Sequence, residues 1–192
     1  MYYLLRLITI IFTLLPRRIA LKLGQLLGAF FYYIIPIRKK IAKQNIKIAF
    51  PQLNDKEIEK LIKKCYKHFG MVLVDFFRMP ILNKNNIHKV FTFDNHSIQL
   101  LNNHKGGIVM TGHLGNWEMF IPGFGLNNYP MSIVTQTQKN KSAERFFNWV
   151  RNKENTQLIP KKESKEIMKK VLIDNKFLGL ASDQNAGKYG TE

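Results

Sequence analysis

The sequence predicts an α/β domain with a mostly parallel or mixed sheet flanked by helices, preceded by an N-terminal helical segment of different character. Three observations lead there. From about His88 onward short apolar runs alternate with helical periods, the pattern of strands covered on both faces. Residues 58–76 repeat apolar side chains at three- and four-residue steps, as an amphipathic helix does. The first 50 residues hold long Leu/Ile runs and nine cations, with no Asp or Glu before Asp55.

Taken in order, the first elements are two apolar stretches, Leu4–Leu15 and Ile19–Ile37, divided by Pro16-Arg17-Arg18. A spanning helix needs roughly 20 apolar residues free of charge. The first stretch is shorter and contains Arg6, and the second contains Lys22 and ends near Pro36, so neither is a clean span. Cations flanking apolar runs, with Phe30, Phe31, Tyr32 and Tyr33 for the acyl boundary, fit docking on an anionic membrane surface. The plainer alternative is a pair of core helices. The chain therefore divides into a membrane anchor or docking segment over 1–37 and an α/β domain over 38–192.

A basic helix over Arg38–Phe50 ends at Pro51. Asn54-Asp55-Lys56-Glu57 reads as a capping box opening a helix to about Arg78, with Ile58, Leu61, Ile62, Cys65, Phe69, Val72, Leu73 and Phe76 on its apolar side. Pro80 and Asn83-Lys84-Asn85-Asn86 mark a loop. Expected strands are Val90–Phe93, Gly107–Thr111, Met131–Thr135 and Phe177–Ala181. Expected helices are Asn95–Asn103, Trp117–Gly125, Ser142–Lys153 and Glu163–Asn175. The last strand is followed almost at once by Gly190-Thr191-Glu192, which reads as a domain cut short at its C-terminus.

Charge narrows the function. Thirty Lys and Arg against 13 Asp and Glu give +17 over 192 residues, a surplus that calls for an anionic partner. Nucleic acid is disfavoured because the cations flank Leu/Ile runs rather than base-stacking or turn chemistry. One cysteine, Cys65, makes no internal disulfide and fits a reducing or cytosol-facing setting. The five histidines lack the i, i+4 spacing of a helical zinc site, so no metal centre is expected; His68, His88, His96 and His104 read as surface or structural.

The stretch from Gly106 to Glu118 carries the chemistry: an apolar strand, a glycine-flanked His113, and a carboxylate five positions on. Ligands of open α/β sheets sit beyond the carboxyl ends of strands, where this histidine falls. Residues five apart in a continuous helix are turned by about 140°, so His113 must lie in the turn before the helix, with Gly112 and Gly115 supplying backbone freedom. From there Glu118 can accept the imidazole N–H, fix its tautomer and stabilise the imidazolium. No G-x-S-x-G elbow accompanies this pair and Cys65 is on another helix, so a substrate hydroxyl is the expected nucleophile. Asn116 either donates to a developing oxyanion or caps the helix, and Trp117 reads as a packing anchor.

His113-Leu114-Gly115-Asn116-Trp117-Glu118 resembles the H-x-x-x-x-E/D signature of membrane-associated acyltransferases, and in this form the bacterial lipid A biosynthesis (lauroyl/myristoyl) acyltransferases. Leu15-Pro16 through Gly24 and Gly28, Ile41-Ala42-Lys43-Gln44-Asn45-Ile46 and Ala49-Phe50-Pro51 are similar to that family's opening. Gln138-Lys139-Asn140 resembles a basic substrate-contacting segment, and Ala181-Ser182-Asp183-Gln184 with Gly187-Lys188 resembles its D-Q-x-x-x-G block. Lys139 and Lys188 stand where many members carry Arg, which keeps the charge and loses the bidentate fork.

The resemblance implies a glycerolipid-acyltransferase-like fold at the cytoplasmic face of the cell inner membrane. It implies acyl transfer from an acyl carrier protein thioester to a hydroxyl of a lipid A precursor, within lipopolysaccharide biosynthesis. His113 would be the general base and Glu118 its orienter, with Asn116, Lys139, Asp183, Gln184 and Lys188 as substrate contacts. No resident cofactor is implied, since the donor brings its own phosphopantetheine. Two alternatives differ in kind: an acyltransferase for a lysophospholipid or another glycolipid, and a noncatalytic basic membrane-surface protein with His113 in its core. Glycerolipid acyltransferases usually carry Asp at the Glu118 position and a later F-P-E-G-T-type block, and neither is present here.

Overall fold

The structure, a computed structural model, describes residues 1–183. These form two compact units, one of Ile8–Arg78 and one of Met1–Leu7 with Met79 onward.

The first unit is helical. It holds the second half of helix α1 (Tyr2–Leu14), from Ile8 on, followed by α2 (Arg17–Tyr33), α3 (Lys39–Ala49) and α4 (Asp55–Arg78). The expected capping box opens α4: the Asn54 N–H donates to Glu57 at 2.9 Å and the Glu57 N–H to Asn54 Oδ1 at 3.0 Å. Helices α2 and α4 touch through glycine. A Cβ on Gly24 would lie 2.6 Å from the Gly70 carbonyl oxygen, so only hydrogen there lets the backbones close. Asp75, 4% exposed, accepts two hydrogen bonds from Arg17 at 3.0 and 2.6 Å, and Arg78 donates to the Phe12 and Leu15 carbonyls. Arg17, one of the cations that sequence alone assigns to a membrane surface, thus ties α2 to α4.

The opposite side of α2 carries an unburied apolar stripe, Ile19, Leu23, Leu26, Phe30 and Tyr33, at steps of three and four. Among the described residues no helix is long and apolar enough to cross a membrane. One expectation fails on α4. Cys65 is exposed, as are Phe69 and Leu73, because the buried face shifts toward Gly70, Val74 and Phe77 where α2 approaches.

The second unit holds the sheet. Strands β1 (Gly107–Thr111), β2 (Met131–Thr135), β3 (Thr156–Pro160) and β4 (Phe177–Ala181) run in the order β1-β4-β2-β3, and every pairing is parallel. Helix α5 (Asn95–Asn103) leads into β1, and α6 (Phe120–Gly125), α7 (Lys141–Arg151) and α8 (Ser164–Ile173) lie in the connections between successive strands. Phe124, Met131 and Phe177 centre the core on one side of the sheet, and Ile159, Val171 and Leu178 on the other.

Val90–Phe93 is not a strand. The Phe93 ring packs edge-on against Phe124 and Tyr129 at 5.1 and 5.5 Å, so its apolar surface is buried by aromatic contacts rather than by a ladder. Strand β3 was not expected from sequence. It is an edge strand, where its closing Pro160 is tolerated.

Candidate active site

The parallel register puts the loops after all four strands along one edge of the sheet. Strand β1 pairs with β4 from Gly107↔Phe177 to Thr111↔Ala181, and the Ser182 N–H extends the ladder to the Thr111 carbonyl at 3.2 Å. Position 183 therefore falls beside positions 112–113. Gly112 is needed for this approach, since a Cβ there would press on the Asp183 carboxylate at 3.2–3.3 Å. Gly115 has φ +55°, the left-handed turn that glycine adopts without strain.

Asp183 grips His113 twice: Oδ2 accepts the backbone N–H at 2.7 Å, and Oδ1 lies 2.8 Å from Nδ1. These bonds, ring first and backbone second, hold the Asp183 carboxyl below the usual carboxylate range. An ionised carboxylate only accepts, so in the neutral imidazole the proton sits on Nδ1 and the lone pair on Nε2. The Trp117 ring stands 5.4 Å from the imidazole, tilted by 55°, so Trp117 borders the site as well as packing.

Glu118, the carboxylate expected on the imidazole, is engaged elsewhere. It lies in the middle of the short 3-10 segment Trp117–Met119, and its two oxygens accept from Arg151 at 3.0 and 2.6 Å. The side chains are 11% and 14% exposed, and Arg151 also lies over the Phe147 ring at 4.9 Å. Arg151 closes α7 and gives no local sequence signal, because its partner is 33 residues away. Asn116 occupies the cap position before Trp117 but makes no side-chain capping bond.

A pocket of about 550 Å³ joins these groups, with His113, Glu118 and Arg151 in its wall and Ile121, Ile133 and Met168 among its apolar lining. Lys139 is exposed in the loop after β2; its neighbour Gln138 lines the pocket, and Asn140 caps α7 by accepting from the Ser142 and Ala143 N–H groups. Gln184 and Lys188 lie outside the described residues. Among the described residues no cluster of His, Cys, Asp or Glu could hold a metal ion.

The family model for bacterial lipid A biosynthesis acyltransferases matches residues 1–192. The chain is similar to a lipid A biosynthesis palmitoleoyltransferase of Escherichia coli (strain K12) and to a lipid A biosynthesis acyltransferase of Shigella flexneri. Each is 26% identical over 180 residues, which cover 92% of this chain and 58% of the relative. The chain thus spans just under three fifths of the length of these relatives. With a family-model match along its whole length, the chain belongs to the bacterial lipid A biosynthesis acyltransferase family.

Proposed function

We propose that the complete protein moves a fatty acyl chain from an acyl carrier protein thioester to a hydroxyl of a lipid A precursor, with His113 as general base. The observation that carries this reading is the double contact between Asp183 and His113, with His113 in the wall of a pocket that also has apolar lining. Nε2 takes the proton of the acceptor hydroxyl as its oxygen attacks the thioester carbonyl. The tetrahedral intermediate then collapses with cleavage of the C–S bond, and the imidazolium returns the proton to the departing thiolate, giving ester and thiol.

In this mechanism Asp183 holds the tautomer and stabilises the imidazolium, the role that sequence alone assigns to Glu118. Glu118, tied to Arg151, fixes the pocket wall beside the histidine. The α2 stripe of Ile19, Leu23, Leu26 and Phe30 docks on an anionic membrane surface, with Arg18 and Lys22 at the headgroups. In this reading the reaction runs at the inner membrane's cytoplasmic face, where a water-soluble donor meets a lipid acceptor.

The test is acyl transfer by the full-length protein in detergent, supplied with acyl carrier protein thioester and a lipid A precursor. Wild type is expected to form acylated precursor and free carrier thiol in equal amounts, and His113→Ala to form neither. Full product with His113→Ala would overturn the mechanism. A wild type that acylates a lysophospholipid and not the precursor would overturn the acceptor.

A further inference from the structure

The carboxyl edge of the sheet is divided by charge and chemistry. The strand order β1-β4-β2-β3 puts His113 and Asp183, after β1 and β4, on one half. The other half, after β2 and β3, carries Lys139 and Lys141, then Lys161, Lys162 and Lys165. All five lysines are exposed, and none has an acidic partner among the described residues; nearby, only Lys169 is paired, with Glu166 of its own helix. The pocket joins the two halves, for its wall includes His113 at one end and Lys161 and Ser164 at the other.

We infer that the lysines after β2 and β3 form the docking surface for the acidic carrier protein that brings the acyl thioester. The thioester arm then runs along the pocket from the β3 side toward His113. This rests on the carrier-bound donor of the proposed function and adds where that donor sits.

The arrangement of the cations favours a protein over a phosphate group. Lys161, Lys162 and Lys165 span roughly 6–8 Å at helical rise, and Lys139 and Lys141 stand apart from them after β2, so the charges spread over two neighbouring segments rather than converging on one point. They are all lysines, compact charges without the planar fork that suits bidentate phosphate contact. A spread of separate positive charges matches an acidic helix face, where complementarity speeds and orients encounter. It also leaves the β1 side of His113 for the acceptor hydroxyl, so donor and acceptor approach the imidazole from different sides.

The experiment measures two quantities on the full-length protein in detergent: the Kd for holo acyl carrier protein, read without any reaction, and the KM for the acyl-carrier donor. Lys162→Glu/Lys165→Glu is expected to raise both at least tenfold and to flatten their dependence on salt, whereas Lys162→Arg/Lys165→Arg keeps them within threefold of wild type. The KM for S-acyl pantetheine, which lacks the protein, is expected to rise far less. Unchanged Kd and carrier KM in the charge-reversed variant would overturn the inference. So would an equal rise for both donors, or a rise confined to the KM of the lipid acceptor. A wild type that binds the carrier through these lysines but transfers no acyl group would instead sink the proposed reaction and leave the docking surface standing; one that does neither sinks both.

Discussion

Breaking the Glu118–Arg151 pair separates a carboxylate that builds the site from one that acts on the histidine. Glu118→Gln keeps the shape and removes the charge, leaving the Arg151 guanidinium in a setting where the two side chains are only 11% and 14% exposed. Removing one member of such a pair costs about 3–5 kcal/mol. Arg151 keeps its place over the Phe147 ring, so the lower figure, about 3 kcal/mol, applies. For a chain of this size each kcal/mol lowers Tm by about 2–4 °C, so the expected drop is about 6–12 °C. Arg151→Met leaves the carboxylate unpaired and should cost as much. Glu118→Gln/Arg151→Met buries no unpaired charge, so its cost should fall well below the sum of the two, a coupling of about 2 kcal/mol. Urea unfolding of the four proteins, with midpoint and slope fitted separately, measures this. Additivity to within about 0.5 kcal/mol would refute the pairing as the reason Glu118 is there.

Three further outcomes are expected. Gly70→Ala should destabilise by about 1–2 kcal/mol in thermal unfolding, because a Cβ there overlaps the Gly24 backbone and this outweighs the roughly 1 kcal/mol that alanine gains in a helix; a stabilised variant would contradict the close crossing of α2 and α4. Burial pulls the Lys153 ammonium, which donates to the Pro80 and Leu82 carbonyls, down from 10.5 to about 8. Between pH 8 and 10.5 the unfolded chain holds the extra proton, so stability relative to Lys153→Met should rise with pH across that window; a flat difference would refute the shift. Replacing Leu23, Leu26 and Phe30 together by Gln should weaken binding to anionic vesicles by about two orders of magnitude, at roughly 1 kcal/mol per partly buried side chain, with Tm unchanged; unaltered binding would remove α2 from the docking surface.

Where local chemistry decides structure, the sequence was readable. Alternating apolar runs located β1, β2 and β4 to the residue, and the Asn54/Glu57 reciprocity located the start of α4. Where a distant neighbour decides, it was not. Phe91 and Phe93 carry a strand's composition, but their rings pack edge-on against each other and Phe93 packs on the rings of Phe124 and Tyr129. Cys65 has the right helical phase for burial, yet Gly70 draws α2 onto a neighbouring face.

The site divides the same way. His113 stands out through its glycines and its strand. Which carboxylate meets it depends on β4 lying next to β1, a pairing across 70 residues that no spacing rule between positions 113 and 118 contains. Arg151 was invisible for the same reason.

The central claim is that Asp183 is the carboxylate acting on His113, and single-turnover acyl transfer tests it most directly. Asp183→Asn and Glu118→Gln in the full-length protein are compared at saturating donor and precursor, with Tm measured on the same samples. Losing the carboxylate behind a catalytic imidazole costs about two to four orders of magnitude in rate. The account predicts that loss for Asp183→Asn at nearly unchanged Tm, whereas Glu118→Gln loses Tm first. An Asp183→Asn enzyme at wild-type rate, beside a well-folded Glu118→Gln enzyme that is dead, would contradict it.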